Sequence, residues 1–182
     1  FKNNKKMLLF LFKEKIIIPN EQIFSIISKK NDYLSFFYTE FKSFFNDELI
    51  EKAKIKEIDF ETYDQKRQIG ENDNYISQLI RNDSIDEFVI YVTKNSLYLS
   101  STINSSIYET NSLLIDKTPT LIEYACFFGS IQIFNYLRLN GVVLTPALWI
   151  YAIHGKNADI IHLLEENLIH IQSVDDCILE SI

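Results

Sequence analysis

The chain has 182 residues, with 18 Lys and Arg against 25 Asp and Glu, so its formal net charge is −7. A hydrophobic fraction of 47% and a charged fraction of 24% exclude a disordered or collagenous chain. The acidic balance disfavours nucleic-acid and anionic-membrane partners, and four Gly and three Pro are too few for a phosphate-cradling loop or a turn-rich all-β fold.

From the N-terminus, the run Met7–Phe12 behind Lys5 and Lys6 is six residues long and is closed by Lys13, Glu14 and Lys15. It is too short to span a bilayer and lacks a small-residue cleavage site, so it predicts a buried helix rather than a signal peptide or a membrane span. The chain opens on Phe1 rather than Met and stops at Ile182 inside a helical pattern, so a piece of a longer protein is expected.

Apolar periodicity and Asn, Asp, Ser and Gly punctuation predict helices near 4–14, 21–30, 32–45, 47–68, 73–82, 85–94, 119–128, 130–140, 146–154, 157–167 and 174–182. The segment 47–68 is dominated by charge and is expected to be one long, one-sided, exposed helix. The predicted fold class is therefore all-α. Residues 1–70 form an N-terminal helical region, and residues 71–182 a repeat region.

Repetition is the strongest signal. Thr118-Pro119 recurs as Thr145-Pro146, and at the same 27-residue offset Leu121, Tyr124, Ala125, Ile133, Leu137 and Asn140 recur as Leu148, Tyr151, Ala152, Ile160, Leu164 and Asn167. Thr followed by Pro reads as an N-cap and first-turn pair, so both copies start helices at equivalent points. Gly129-Ser130 and Lys156-Asn157 then break the chain ahead of a second helix in each copy. A two-helix unit this short cannot close a core alone and must stack on neighbours.

The segment Thr120–Gly141 resembles an ankyrin repeat: Thr120-Leu-Ile-Glu-Tyr-Ala-Cys-Phe-Phe-Gly129 parallels the opening, and an apolar second helix ends in Gly141. Residues 145–168 and 72–95 are weaker copies, with Asp83 in the place of Gly129 and Asn95 in that of Gly141, and a truncated unit begins near 173. The texture of the chain resembles a divergent set of ankyrin-like proteins of unknown function in an anaerobic protist. The resemblance implies an ankyrin-like helical solenoid with short or missing hairpins, acting as a non-catalytic protein-binding scaffold. It also implies that the two residues before each turn face the concave surface; these are Arg81 and Asn82, Phe127 and Phe128, His154 and Gly155. The family's His is replaced by Glu123 and Ile150, so its usual polar network between repeats is not expected here.

Chemistry is sparse. His154, His162 and His170 are eight apart, roughly 12 Å along a helix, too far to share a metal. No metal-ligand motif, nucleophile elbow or cofactor loop is present, so no catalytic, metal or cofactor-binding residue is assigned. Cys126 with His154 is the one Cys–His pair that could meet, and Cys126 reads as a small core residue; Cys177 likewise sits in an apolar pattern. Two cysteines without framework spacing point to a reducing, cytoplasmic setting. The expected partner is a protein, with no nucleic acid and no membrane span, and the chain is expected to be monomeric or part of a longer array. The rival readings are an enzyme with a site in 47–117, built on Glu71, Asp73, Tyr108 and Glu109, and a self-assembly module.

Overall fold

A computed structural model describes residues 4–167; the helix expected at 174–182, the truncated unit from 173, His170 and Cys177 lie outside them. The described residues are helical and contain no β-strand, only an isolated bridge between Thr102 and Thr120. The chain divides into two compact units, Phe1–Asp73 with Ser105–Asp116, and Asn74–Asn104 with Lys117–Ile182.

In the first unit, α1 (Lys5–Lys13) is capped by Asn4, whose side chain accepts from Met7 N–H, and it buries Lys5, Leu9 and Phe12. The helices α2 (Glu21–Ile27), α3 (Asn31–Phe36) and α4 (Tyr38–Phe41) follow, and Asn20 caps α2 in the same way through Ile23 N–H. Their shared interior is Leu9, Phe12, Ile27, Tyr33, Phe36, Phe37 and Phe41. Phe12 meets Phe37 and Phe41 edge-on at centroid distances of 5.8 and 5.4 Å, the geometry aromatic quadrupoles favour.

The long helix expected over 47–68 is not formed. The chain makes α5 (Asp47–Lys52), a 3-10 turn Ile55–Glu57 and α6 (Tyr63–Ile69), broken by Lys54 in the left-handed region at φ 51° and by extended backbone at Ile58. The reason lies in what is buried. Ala53 and Ile55 join Leu34 in one apolar cluster, whereas Tyr63 and Arg67 turn to the end of α3, and a straight helix could not deliver all of them. Asp59 fixes the break, accepting from Glu61 N–H at 3.1 Å and from the Thr62 hydroxyl at 2.7 Å.

The end of α3 is closed by side chains from far along the chain. The Tyr63 hydroxyl lies 2.6 and 2.8 Å from the Ser35 and Phe36 carbonyl oxygens, and Arg67 donates to the Phe36 carbonyl at 2.9 Å and to Glu40 at 2.7 Å. A cation at a helix C-terminus complements the macrodipole and satisfies carbonyls with no partner inside the helix. Residues 105–116 are tied to the same unit. Fully buried Lys5 donates to the Ile107 and Glu109 carbonyls at 2.9 and 3.1 Å and pairs with Asp32 at 2.9 Å. The buried Glu109 carboxylate accepts from the backbone N–H groups of Asn72, Thr110 and Asn111. A further helix that the sequence reading omitted, α9 (Ser112–Lys117), ends this segment, with Asn111 accepting from Leu113 N–H.

The second unit contains helix pairs α7 (Tyr75–Arg81) and α8 (Ile85–Lys94), α10 (Leu121–Phe128) and α11 (Ile131–Leu139), α12 (Leu148–Gly155) and α13 (Ala158–Glu166). The last two pairs begin and end at the same 27-residue offset at all four boundaries. Within each pair the two helices pack together. First helices also pack on first (α7 on α10, α10 on α12), and second on second (α8 on α11, α11 on α13). The apolar interior is Leu79, Ile80, Phe88, Leu121, Ala125, Cys126, Ile133, Phe134, Leu137, Leu148, Ala152, Ile160 and Leu164.

Two details depart from expectation. Neither Thr118 nor Thr145 caps a helix. Thr120 caps α10, because Glu123 at the third helical position reaches back to the Thr120 N–H at 2.7 Å and completes a capping box. In the other copy Ala147 holds the cap position, and the Thr145 backbone carbonyl, not its side chain, accepts from Leu148 N–H at 3.0 Å. Nor does Asn95 stand where Gly141 does. α8 has ten residues and α11 nine, so Ser96 (φ 51°) takes the left-handed place of Gly141, and Asn95 matches Asn140. Both asparagines cap the last turn by donating from Nδ2 to a carbonyl four residues back, Tyr91 and Tyr136, each at 2.8 Å.

Candidate functional site

The first helix of each pair in the second unit ends in a left-handed residue, Asp83, Gly129 or Lys156, at φ 50°, 67° and 51°. After α7 and α10 the chain makes the paired backbone bonds of a Schellman turn: Ser84 N–H to Leu79 and Asp83 N–H to Ile80, Ser130 N–H to Ala125 and Gly129 N–H to Cys126. After α12 a single bond, Lys156 N–H to Ala152, closes the turn. The three turns share a left-handed residue, and the first two also share the paired bonds.

They are also stitched to one another. The Asp83 carboxylate accepts from Gln132 and Ile133 N–H at 3.0 Å each, capping α11 from the preceding pair. The Ser130 hydroxyl donates to the Ile80 carbonyl, and Asn157 Nδ2 donates to the Gly129 carbonyl at 2.9 Å. Polar contacts between repeats therefore exist without the histidine of the ankyrin pattern. They use the turn residues instead.

Four of the six residues singled out from the sequence lie in one chain of contacts. Arg81 donates to the Tyr124 hydroxyl at 2.9 Å, and its guanidinium lies 5.8 Å from the Phe128 ring centroid. Phe128 packs on Tyr124 at 4.8 Å and on Phe127 at 4.9 Å, and Phe127 stacks on the His154 ring at 3.7 Å with a 13° interplanar angle. Phe128 and His154 are partly exposed, whereas Phe127 is only 4% exposed and serves as the floor. Asn82 is exposed beside them.

Gly155 has a different task. A Cβ there would fall 2.1 Å from the Cys126 carbonyl oxygen, so its hydrogen is what allows α12 to approach the end of α10. Tyr124, singled out earlier only as a repeat identity, is the residue missed. Its recurrence as Tyr151 marked it as core, and nothing in the sequence showed Arg81, 43 positions away, as the donor to its hydroxyl.

Cys126 is fully buried, and burial, aided by nearby Glu123, pushes its thiol far up, so no thiolate is available there. His154 stacks on Phe127, and its Nδ1 is 3.4 Å from the Phe127 carbonyl oxygen. No group of three His, Cys, Asp or Glu among the described residues could hold a metal ion, and no described helix is long and apolar enough to cross a membrane.

The first unit carries a second candidate, a cleft of about 480 Å³ whose lining includes Asp32, Lys52, Asp59, Lys66, Asp73 and Tyr108. Of the four residues named for an enzymatic site, Asp73 and Tyr108 are in this lining; Glu71 is not, and Glu109 is buried holding backbone N–H groups. Lys66 pairs with Asp73 at 3.0 Å and lies 5.4 Å from the Tyr108 ring centroid, and Ser106 donates to Asp73 at 2.7 Å. Burial, with the Asp73 and Asp59 carboxylates beside it, raises the Tyr108 hydroxyl to about 12. At neutral pH that hydroxyl is a hydrogen-bond donor rather than a base.

Comparison of the chain with protein-family models, with curated proteins and with solved structures found no match in any of the three.

Proposed function

We propose that this chain is a non-catalytic protein-interaction scaffold of ankyrin type, in which stacked helix pairs form a short solenoid and a protein partner docks on the face of the first helices. The observation that carries the reading is the ridge Arg81–Phe128–Phe127–His154, drawn from three successive helix pairs, each with a left-handed residue at the end of its first helix. Packing of first helices on first and second on second supports the solenoid part of the proposal. Such a ridge combines aromatic area with a guanidinium, the residue types that dominate interface energetics. Because Phe127 and Tyr124 hold Phe128 and Arg81 in place, little side-chain entropy remains to be lost on binding.

The test compares the native chain with Phe128→Ser and Arg81→Ala in affinity capture, each variant checked by its thermal melting curve. Phe127→Ala is a poorer probe because that ring is buried. A partner lost from both variants with folding intact supports the ridge; capture indifferent to both excludes it as the binding surface.

The enzymatic reading has one specific observation in its favour, the cleft that gathers Asp73, Lys66 and Tyr108. It requires a small molecule to displace the Lys66–Asp73 pair. A ligand-induced melting shift that Lys66→Ala removes and Phe128→Ser preserves would replace the scaffold reading by this one. Self-assembly is separated from both by sedimentation at several concentrations.

A further inference from the structure

The net charge of −7 conceals a strong segregation. Residues 1–30 contain seven Lys and two Glu, a local balance of +5, which leaves −12 for the other 152 residues. The same stretch leaves large apolar side chains in water. Met7 and Phe10 on α1 are 47% and 56% exposed, and Ile16 and Ile18 just after it are 63% and 74% exposed.

Helical spacing puts these groups together. Phe10 lies four residues after Lys6 and three before Lys13, and Met7 lies three before Phe10, so Met7 and Phe10 face away from buried Phe12, with Lys6 and Lys13 along the edge between Phe10 and buried Leu9. At the end of α1 the chain folds back through Lys15 in the left-handed region, with Lys15 N–H on the Phe12 carbonyl and Ile16 N–H on the Leu11 carbonyl. That turn fixes Ile16 to the last turn of the helix and continues the apolar surface past Lys13. Lys6, Lys13 and Lys15 are all exposed, and Glu14 is the one acid between them.

We propose that α1 and the Lys15–Ile18 turn form a lysine-rimmed apolar patch that docks in the plane of an anionic membrane surface. Its charge complements acidic headgroups, while Met7, Phe10, Ile16 and Ile18 enter the boundary between headgroups and acyl chains. Lysine stems suit this rim, since they lie along apolar surface while the ammonium stays at the headgroups. The mode is adsorption, as no described helix can cross a bilayer. The proposal is independent of the aromatic ridge, and it shows why whole-chain charge is a poor guide to a local partner.

The experiment is flotation of the purified full chain with phosphatidylcholine vesicles and with vesicles containing 30% phosphatidylserine. The expected result is binding to the anionic vesicles alone, weakened by 0.5 M salt. Lys6→Glu and Lys13→Glu should each lower partitioning by about fivefold or more, and Phe10→Ser with Ile16→Ser should abolish it. Phe128→Ser should bind like the native chain. Lys13, Phe10 and Ile16 are exposed, so their variants should melt like the native chain, and a melting curve checks the folding of each variant used. Equal binding to neutral and anionic vesicles, no binding to either, or binding indifferent to the Phe10 and Ile16 changes would overturn the proposal. So would a concentration-dependent dimer that Phe10→Ser dissolves, because a second copy would then own the patch.

Discussion

The two units solve the same problem, covering short helices, by different means. The first has a phenylalanine-rich interior but closes it with buried charge: Lys5, Arg67 and Glu109 are at most 5% exposed, each bonded to backbone groups or carboxylates from distant segments. In the second, the described buried polar residues are two serines, Ser77 and Ser130, and the interior is aliphatic and aromatic. Charge acts there at the turns, through Asp83 and the capping pair Thr120–Glu123, and on the ridge, through Arg81 against Tyr124 and Phe128. The comparison teaches two ways of making long-range ties. In the unit with a repeat they run from the turn of one helix pair to the turn of the next, whereas the unit without one fastens its helix ends individually with buried side chains.

The contrast can be broken at its strongest points. Arg67→Ala in the first unit takes the buried cation from partly buried Glu40 and one of two donors from the Phe36 carbonyl, and should cost about 3 kcal/mol, read by urea unfolding. A loss below about 1 kcal/mol would mean that the guanidinium is dispensable and the helix end is closed by Tyr63 alone. In the second unit the counterpart is steric. Gly155→Ala drives a methyl into the Cys126 carbonyl and should cost about 3 kcal/mol, with the loss seen in α10 and α12 by hydrogen exchange.

Alkaline pH sharpens the difference further. Tyr63, Tyr108, Tyr151 and Cys126 all hold their protons more tightly when folded, chiefly because burial disfavours their anions. The unfolded chain loses those protons first, so stability should fall as pH rises past about 9 for the thiol and 10 for the phenols. Lys5 works the other way. Burial lowers its pKa despite Asp32, so its contribution improves as pH climbs toward its ordinary value near 10.5. Tyr108→Phe should remove the part of the loss between pH 10 and about 12, visible as a flatter plot of melting temperature against pH. The smallest effect is a gain: Lys156→Gly relieves a left-handed side chain and should stabilise the second unit by about 0.5–1 kcal/mol in thermal unfolding.

Legibility in the sequence follows the same division. The helix pairs 121–139 and 148–166 were readable because apolar period and punctuation agree twice over, and one copy checks the other. The capping box was also present as Thr120-x-x-Glu123, though the Thr-Pro pairs drew the cap two residues too early. In 47–68, charged residues at helical spacing imitated a long helix, and only the tertiary needs of Ala53, Ile55, Tyr63 and Arg67 break it. The burial of Lys5 and Arg67 leaves no mark in the sequence, because it rests on backbone carbonyls and on Asp32 and Glu40, all brought close only by the fold. The ridge was half legible. The equivalent positions before each turn could be counted, but the burial of Phe127, the packing role of Gly155 and the part played by Tyr124 depend on how close α10, α12 and α7 come.

The tie between Lys5 and Glu109 spans 104 positions and bears on how the protein is made. A ribosome releasing the chain from its N-terminus must deliver α7 and α8 before residues 105–116 can complete the first unit. Until then the Lys5 ammonium and the amide of Asn72 lack their Glu109 acceptors. Helix α1 thus waits for a segment about a hundred residues further on before its end is closed, so the first unit cannot be completed by local contacts alone.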